Sequence, residues 1–180
     1  MTVAPDRLPH SRAILYAAGS AGSQVMLQTI TVWLVFFYVS AGDYALAPIL
    51  LVGAATTVGR FTDALTDPLI GYWSDVTRSR WGRRAPFILL GAPPMAVAFV
   101  LLWTPPVAAT HWMNGVWLAL ILQAYFLFVT VVSAPYYGIY AELAVTTEDR
   151  VLVSSWQHVF GLCGAGVALL ASGLLIDVIG

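Results

Sequence analysis

The sequence of 180 residues has no lysine, one cysteine and only 9% charged residues. So little charge excludes an ordinary soluble domain, in which about a quarter of residues are charged. The single cysteine, Cys163, excludes a disulfide framework and reads as a small packing residue in an apolar run. His10, His111 and His158 stand far apart, without metal-ligand spacing, and His158 reads as a packing residue. There is no glycine-rich phosphate loop and no nucleophile elbow, so neither an enzyme nor a cofactor is expected, and no nucleic-acid partner. The first apolar segment is too long for a signal peptide and no small-residue cleavage pattern follows it, so it reads as a mature membrane span.

Apolar residues make up 59% of the chain and mean hydropathy is +0.82, as expected of an integral membrane protein in contact with the lipid bilayer. Fifteen glycines and ten prolines suit membrane helices that approach closely or bend. Hydropathy predicts an all-α bundle with helices at about 13–39, 44–75, 85–103, 114–144 and 152–176. A turn at 40–43, an arginine-rich loop at 77–84, a proline loop around Pro105 and Pro106, and a charged turn at 146–150 join them. Pro93-Pro94 is expected to kink the third helix. Trp33, Trp103, Trp112 and Trp117 include expected interface anchors.

All eight positive residues are arginine. If every helix crosses, Arg7 and Arg12, the loop with Arg78, Arg80, Arg83 and Arg84, and Arg150 all lie on one side. The positive-inside rule then places the N-terminus in the cytoplasm, and the expected location is a plasma membrane, of the bacterial inner-membrane type.

The remaining arginine, Arg60, lies inside the second helix with Asp63 and Asp67. An ionisable residue at the centre of a membrane helix costs roughly 2.5–3.5 kcal/mol and commonly faces a pathway. Asp63 and Asp67 are four apart, so they share a helix face with Arg60. Two carboxylates one turn apart repel in a low dielectric, and Arg60, a shared proton or a bound cation must neutralise them. One arginine cannot serve both. Thr62 and Thr66 add hydroxyl oxygens, and Pro68 leaves the Ala64 carbonyl without its helical donor. Hard cations take oxygen ligands. The expected role is a coupling site for Na⁺ or H⁺, against the alternative of a structural ion pair between Arg60 and one aspartate. Beyond it, Gly71 is expected to permit close helix packing, and Asp75 to pair with an arginine across the loop that carries Arg78, Arg83 and Arg84. These residues would form a cytoplasmic gate, with Glu142 touching the loop when the gate closes.

The stretch Gly71 to Arg84 resembles the loop between helices two and three of major facilitator transporters. The longer string GRFTDALTDPLIGYWSDVTRSRWGRRAPFILLG resembles a narrower group, the glycoside–pentoside–hexuronide:cation symporters of the melibiose-permease kind. So does Ala134-Pro135-Tyr136-Tyr137-Gly138-Ile139-Tyr140-Ala141-Glu142-Leu143, followed by Glu148-Asp149-Arg150. The resemblance runs through all five helices. It implies the N-terminal half of a major facilitator fold, which has six helices and a partner half around a central site. It also implies that Asp63, Asp67, Thr66 and Thr130 bind the coupling cation and that Arg60 belongs to their charge network.

The sugar-binding positions depart from the family pattern. Where melibiose permease has carboxylates in helices one and four, this chain has Ala21 and Ser133, and Gln157 replaces a helix-five arginine. Candidate substrate residues are therefore Gln24, Gln28, Ser133, Tyr137, Trp156 and Gln157. The expected activity is cation-coupled symport of a sugar or glycoside-like small solute. The chain itself is expected to be a fragment that needs a missing C-terminal half or a second copy. Transport of a lysolipid on the same scaffold, and a non-transporting remnant, are the alternatives. An intramembrane aspartyl protease is disfavoured, because carboxylates on one helix do not obviously converge on a water.

Overall fold

Proline and capping groups set where the apolar runs become helices. In the computed structural model, residues 8–39 and 45–179 are described, with side chains through residue 171. The helices are α1 (His10–Val39), α2 (Ile49–Val76), α3 (Ala85–Leu101), α4 (Trp112–Leu143) and α5 (Thr147–Ile179), and no strand occurs among the described residues. The expected all-α class holds. By length and composition, α1, α4 and residues Thr147–Ala171 of α5 can each cross a membrane. α3 is apolar but spans 17 residues, and α2 has 28 residues with Arg60, Asp63 and Asp67 among them.

Two helix boundaries differ from the hydropathy reading. The second helix starts at Ile49 rather than 44, because Pro48 is its N-cap residue and residues 45–48 are not helical. Residue 44 and the expected turn at 40–43 lie outside the described residues, as does Arg7. The supposed charged turn at 146–150 is instead the opening of α5. The Asp149 amide donates to Thr146 Oγ1 at 3.1 Å, and the Thr146 amide donates to Asp149 Oδ2 at 3.4 Å. This reciprocal cap satisfies amides that a helix start leaves unpaired. Hydropathy misses it because the cap is polar. Pro68, Pro93, Pro94 and Pro135 all lie within continuous helices.

The chain divides into two compact units, one from Leu34–Ile139 and the other from the segments up to Trp33 and from Tyr140 onward. In the latter, α1 and the C-terminal helix run parallel. The Leu8 amide donates to Asp149 Oδ1 at 3.1 Å, Ser20 Oγ donates to the Gln157 carbonyl at 3.2 Å, and Gln24 lies against Gly161. Residue numbers thus rise together along both helices. Contact is closest at Gly164, where a Cβ would lie 2.5 Å from the Ala21 carbonyl oxygen. Small residues let membrane helices approach to backbone contact in this way.

In the Leu34–Ile139 unit, α2 and α4 also run parallel. Gly115 of α4 faces Leu51, Gly59 of α2 faces Phe126, and Thr130 of α4 reaches Asp63 and Asp67. α3 lies antiparallel to α4, with Gly91 against Val131 and the Trp117 indole donating to the Leu101 carbonyl at 3.1 Å. The connections at one end are tied by Asn114, which is fully buried. Its Oδ1 accepts from the Val107 amide, and its Nδ2 donates to the carbonyls of Leu46, Val107 and Ala109. One amide side chain thereby satisfies polar groups from two loops that hydrophobic packing cannot hold.

The Gly164 contact is directly testable. Gly164→Ala should destabilise the protein by about 1–3 kcal/mol, because the neighbouring atom is backbone and yields only if a helix shifts. Gly166→Ala, where the new methyl group meets open space, should be neutral or slightly stabilising. Thermal unfolding in detergent distinguishes the two, and equal effects would refute the close contact.

Candidate cation site

α2 carries the polar stripe because Gly59, Asp63 and Asp67 recur every four residues, and the opposing stripe on α4 is Gln123, Phe126 and Thr130. Thr130 is almost fully buried. Its Oγ1 lies 2.9 Å from Asp63 Oδ1 and 3.0 Å from Asp67 Oδ1. Three oxygens from two helices thus converge. A hydroxyl has one proton to donate, so Thr130 fully satisfies only one carboxylate at a time. A hydrogen bond from a neutral hydroxyl leaves a carboxylate charged, so neutralising the pair takes a proton or a cation, and the set of two carboxylates and a hydroxyl is all oxygen, as hard cations prefer.

Arg60 does not close this deficit. Its guanidinium lies over the Phe126 ring, 5.3 Å from the centroid. Among the described residues no ion pair joins it to Asp63 or Asp67. Cation–π attraction to the ring holds the arginine, while Gly59 lets the ring approach: a Cβ there would lie 2.6 Å from Phe126. The simple ion pair weighed from the sequence is therefore not the arrangement adopted. Thr66 lies on the same helix, but its hydroxyl donates to the Thr62 carbonyl at 2.9 Å and approaches that of Asp63 at 3.4 Å. That backbone bonding leaves only its oxygen lone pairs for a ligand.

At the far end of α2, Arg84 Nη2 donates to Asp75 Oδ1 at 2.7 Å in an ion pair. The Arg84 guanidinium also lies directly on Gly138 of α4, where any side chain would collide with it. Gly82 turns the loop with φ +93°, a conformation suited to glycine. Arg78 and Arg83 are exposed, as is Glu142. Gly71 overturns its expected role: nothing among the described residues lies within 4 Å of a Cβ at that position. Close packing occurs at Gly59 instead, because Gly59 faces α4 and Gly71 does not.

The candidate solute residues are less concentrated. Gln24, Gln28, Trp156 and Gln157 belong to one unit, and Ser133 and Tyr137 to the other. Gln24 packs on Gly161, the backbone carbonyl of Gln157 accepts from Ser20, and Trp156 lies 6.2 Å from the Phe160 ring. Gln28 and Ser133 are half-buried, while Tyr137 is exposed. Phe126, Gln123 and Gly138 were not singled out from the sequence. Counting back four and seven residues from Thr130 along one helix face locates the first two.

Apolar helices, two of which bring a buried hydroxyl to a half-buried and an exposed carboxylate, define a multi-pass membrane protein with an ionisable site at a helix contact. Residues 15–180 match the family described as MFS/sugar transport protein, and the chain belongs to that family. The recognition made from the Gly59–Gly91 and Ala134–Leu143 strings is thereby borne out. The chain is 30% identical over 174 residues to an uncharacterised symporter of Synechocystis sp., covering 94% of this chain and 31% of the relative. It is 30% identical over 167 residues to the inner membrane symporter YicJ of Escherichia coli, covering 92% and 35%. Identity to the isoprimeverose transporter of Lactiplantibacillus pentosus is 28% over 162 residues, covering 90% and 33%. The chain thus spans about a third of the length of the curated relatives it matches.

The shared hydroxyl predicts a clear mutational pattern. Thr130→Val keeps the shape but leaves two carboxylates facing a methyl group, and should cost about 1–3 kcal/mol. Thr130→Ser should stay within about 0.5 kcal/mol of that stability on restoring the hydroxyl. Chemical or thermal unfolding of the two variants checks this, and a Val variant as stable as the wild type would refute the bridge.

Proposed function

We propose that this chain is the cation-binding part of a symporter that moves a sugar or glycoside-like solute with Na⁺ or H⁺. The observation that carries this reading is the convergence of two carboxylates, Asp63 and Asp67, on the one neutral hydroxyl of Thr130, which offsets the charge of neither. The names of relatives as symporters and as an isoprimeverose transporter support the solute class. Because those relatives are about three times as long, transport belongs to a longer assembly, with a C-terminal half or a second copy completing the solute site. Binding of the cation would favour the solute-competent conformation, and by reciprocity the solute would tighten cation binding. Gln24, Gln28, Ser133, Tyr137, Trp156 and Gln157 are the residues to test for solute contact.

Seven of the eight arginines lie outside the second helix, in the three segments that share a side if all five helices cross. This supports a cytoplasmic N-terminus in a bacterial inner membrane. Arg84 and Asp75 would then form part of the cytoplasmic gate, together with Arg78, Arg83 and Glu142.

In the complete transporter, Asp63→Asn should abolish solute accumulation driven by a Na⁺ or proton gradient while preserving part of the downhill exchange. Uptake and counterflow of labelled solute in cells or proteoliposomes measure both. Undiminished accumulation against a gradient would overturn the assignment.

A further inference from the structure

One polar side chain on the α2-facing stripe of α4 has no role in the geometry described so far. Gln123 precedes Thr130 by seven residues, two helical turns, and so projects from the same face. Both its Oε1 and its Nε2 are sealed from solvent, and among the described residues neither has a hydrogen-bond partner. Folded proteins rarely keep a buried carboxamide unpaired, because its desolvation goes uncompensated. The amide faces α2 at Gly59, where a Cβ would lie 3.7 Å from Nε2. Gly59 is one turn before Asp63, about 6 Å along the axis. The same glycine admits Phe126, which carries Arg60 on its ring.

The chemistry of the carboxamide complements this place. A third carboxylate would add repulsion to Asp63 and Asp67, and a second cation would compete with the coupling ion. A neutral amide does neither. Its carbonyl oxygen can face a cation or a water, and its NH₂ can donate toward a carboxylate. The α2–α4 stripes thus present an amide one turn before the Asp63 end of a cluster of three side-chain groups that has one hydroxyl proton between them.

We propose that Gln123 is a further ligand on the path of the coupling ion, holding the hydrated cation, or the water that carries a proton, one helical turn before Asp63 and two before Asp67 and Thr130. This rests on the reading of that cluster as the cation site. It assigns Gln123 a part in ion affinity rather than in packing, because an apolar replacement of similar volume relieves the unpaired amide and leaves the helix contact intact.

The test uses the complete transporter purified in detergent, titrated with Na⁺ or Li⁺ at constant ionic strength against a K⁺ control, and separately with pH, while the unfolding temperature is followed. In the wild type, stabilisation should saturate with Na⁺ and Li⁺, or with protons, and Asp63→Asn should remove it. Gln123→Leu should raise the half-saturating cation concentration about tenfold, or shift the proton response by about one pH unit, with the ion-free unfolding temperature unchanged or higher. A Gln123→Leu variant that melts lower but titrates as the wild type does would make Gln123 a packing residue and overturn the proposal alone. A wild type that responds to no ion, or a response that survives Asp63→Asn, would overturn the cation site and this proposal with it. A response to Na⁺ and Li⁺ identifies a metal cation as the ligand, and a response to pH alone identifies the proton.

Discussion

Two aspartates share one threonine hydroxyl, and much of the Leu34–Ile139 unit makes that contact possible. The hydroxyl oxygen must come within 3 Å of carboxylates on a different helix, so the separation of α2 and α4 is tightly limited. Glycines set it from both sides. Gly59 of α2 receives Phe126, and Gly115 of α4 receives Leu51. A methyl group at either position would push the helices apart and withdraw Thr130 from the carboxylates. Packing and polar chemistry are therefore one constraint: the helices meet where side chains are absent, and the site lies where they meet.

Phe126 has a second consequence. By holding the guanidinium of Arg60 over its face, the ring keeps the positive charge near the carboxylates without joining it to them. With Arg60 on the ring, Thr130 rather than the arginine is the side chain that Asp63 and Asp67 share.

At the far ends of these helices Arg84, the N-cap residue of α3, bonds to Asp75 of α2 and lies on Gly138 of α4, two turns beyond Asp67 on α2 and about two turns beyond Thr130 on α4. α2 and α4 touch directly at Gly115 and Thr130, and through Arg84 at this end. At the other end Asn114 binds the connecting loops through four hydrogen bonds. The carboxylate cluster thus sits midway between one tied end and one closed by an ion pair.

Much of this was legible in the sequence because its signals are local. Apolar runs of helical length predict five helices, and the four-residue spacing of Asp63 and Asp67 places both on one face whatever packs against it. Other features are decided by neighbours that periodicity does not specify. Gly71 and Gly59 are the same residue type on the same helix, yet only Gly59 faces α4. The opening of α5 at Thr147 depends on a polar cap that a hydropathy pattern reads as a turn, and the start of α2 depends on Pro48. Thr130 entered through family resemblance, and Gln123 and Phe126 did not enter at all. The sequence by itself determined which residues are apolar, which are charged and which share a helix face, since these follow from composition and helical geometry. Only the tertiary structure decided that one hydroxyl serves both aspartates and that Arg60 rests on a ring, because such contacts depend on how closely two separate helices approach.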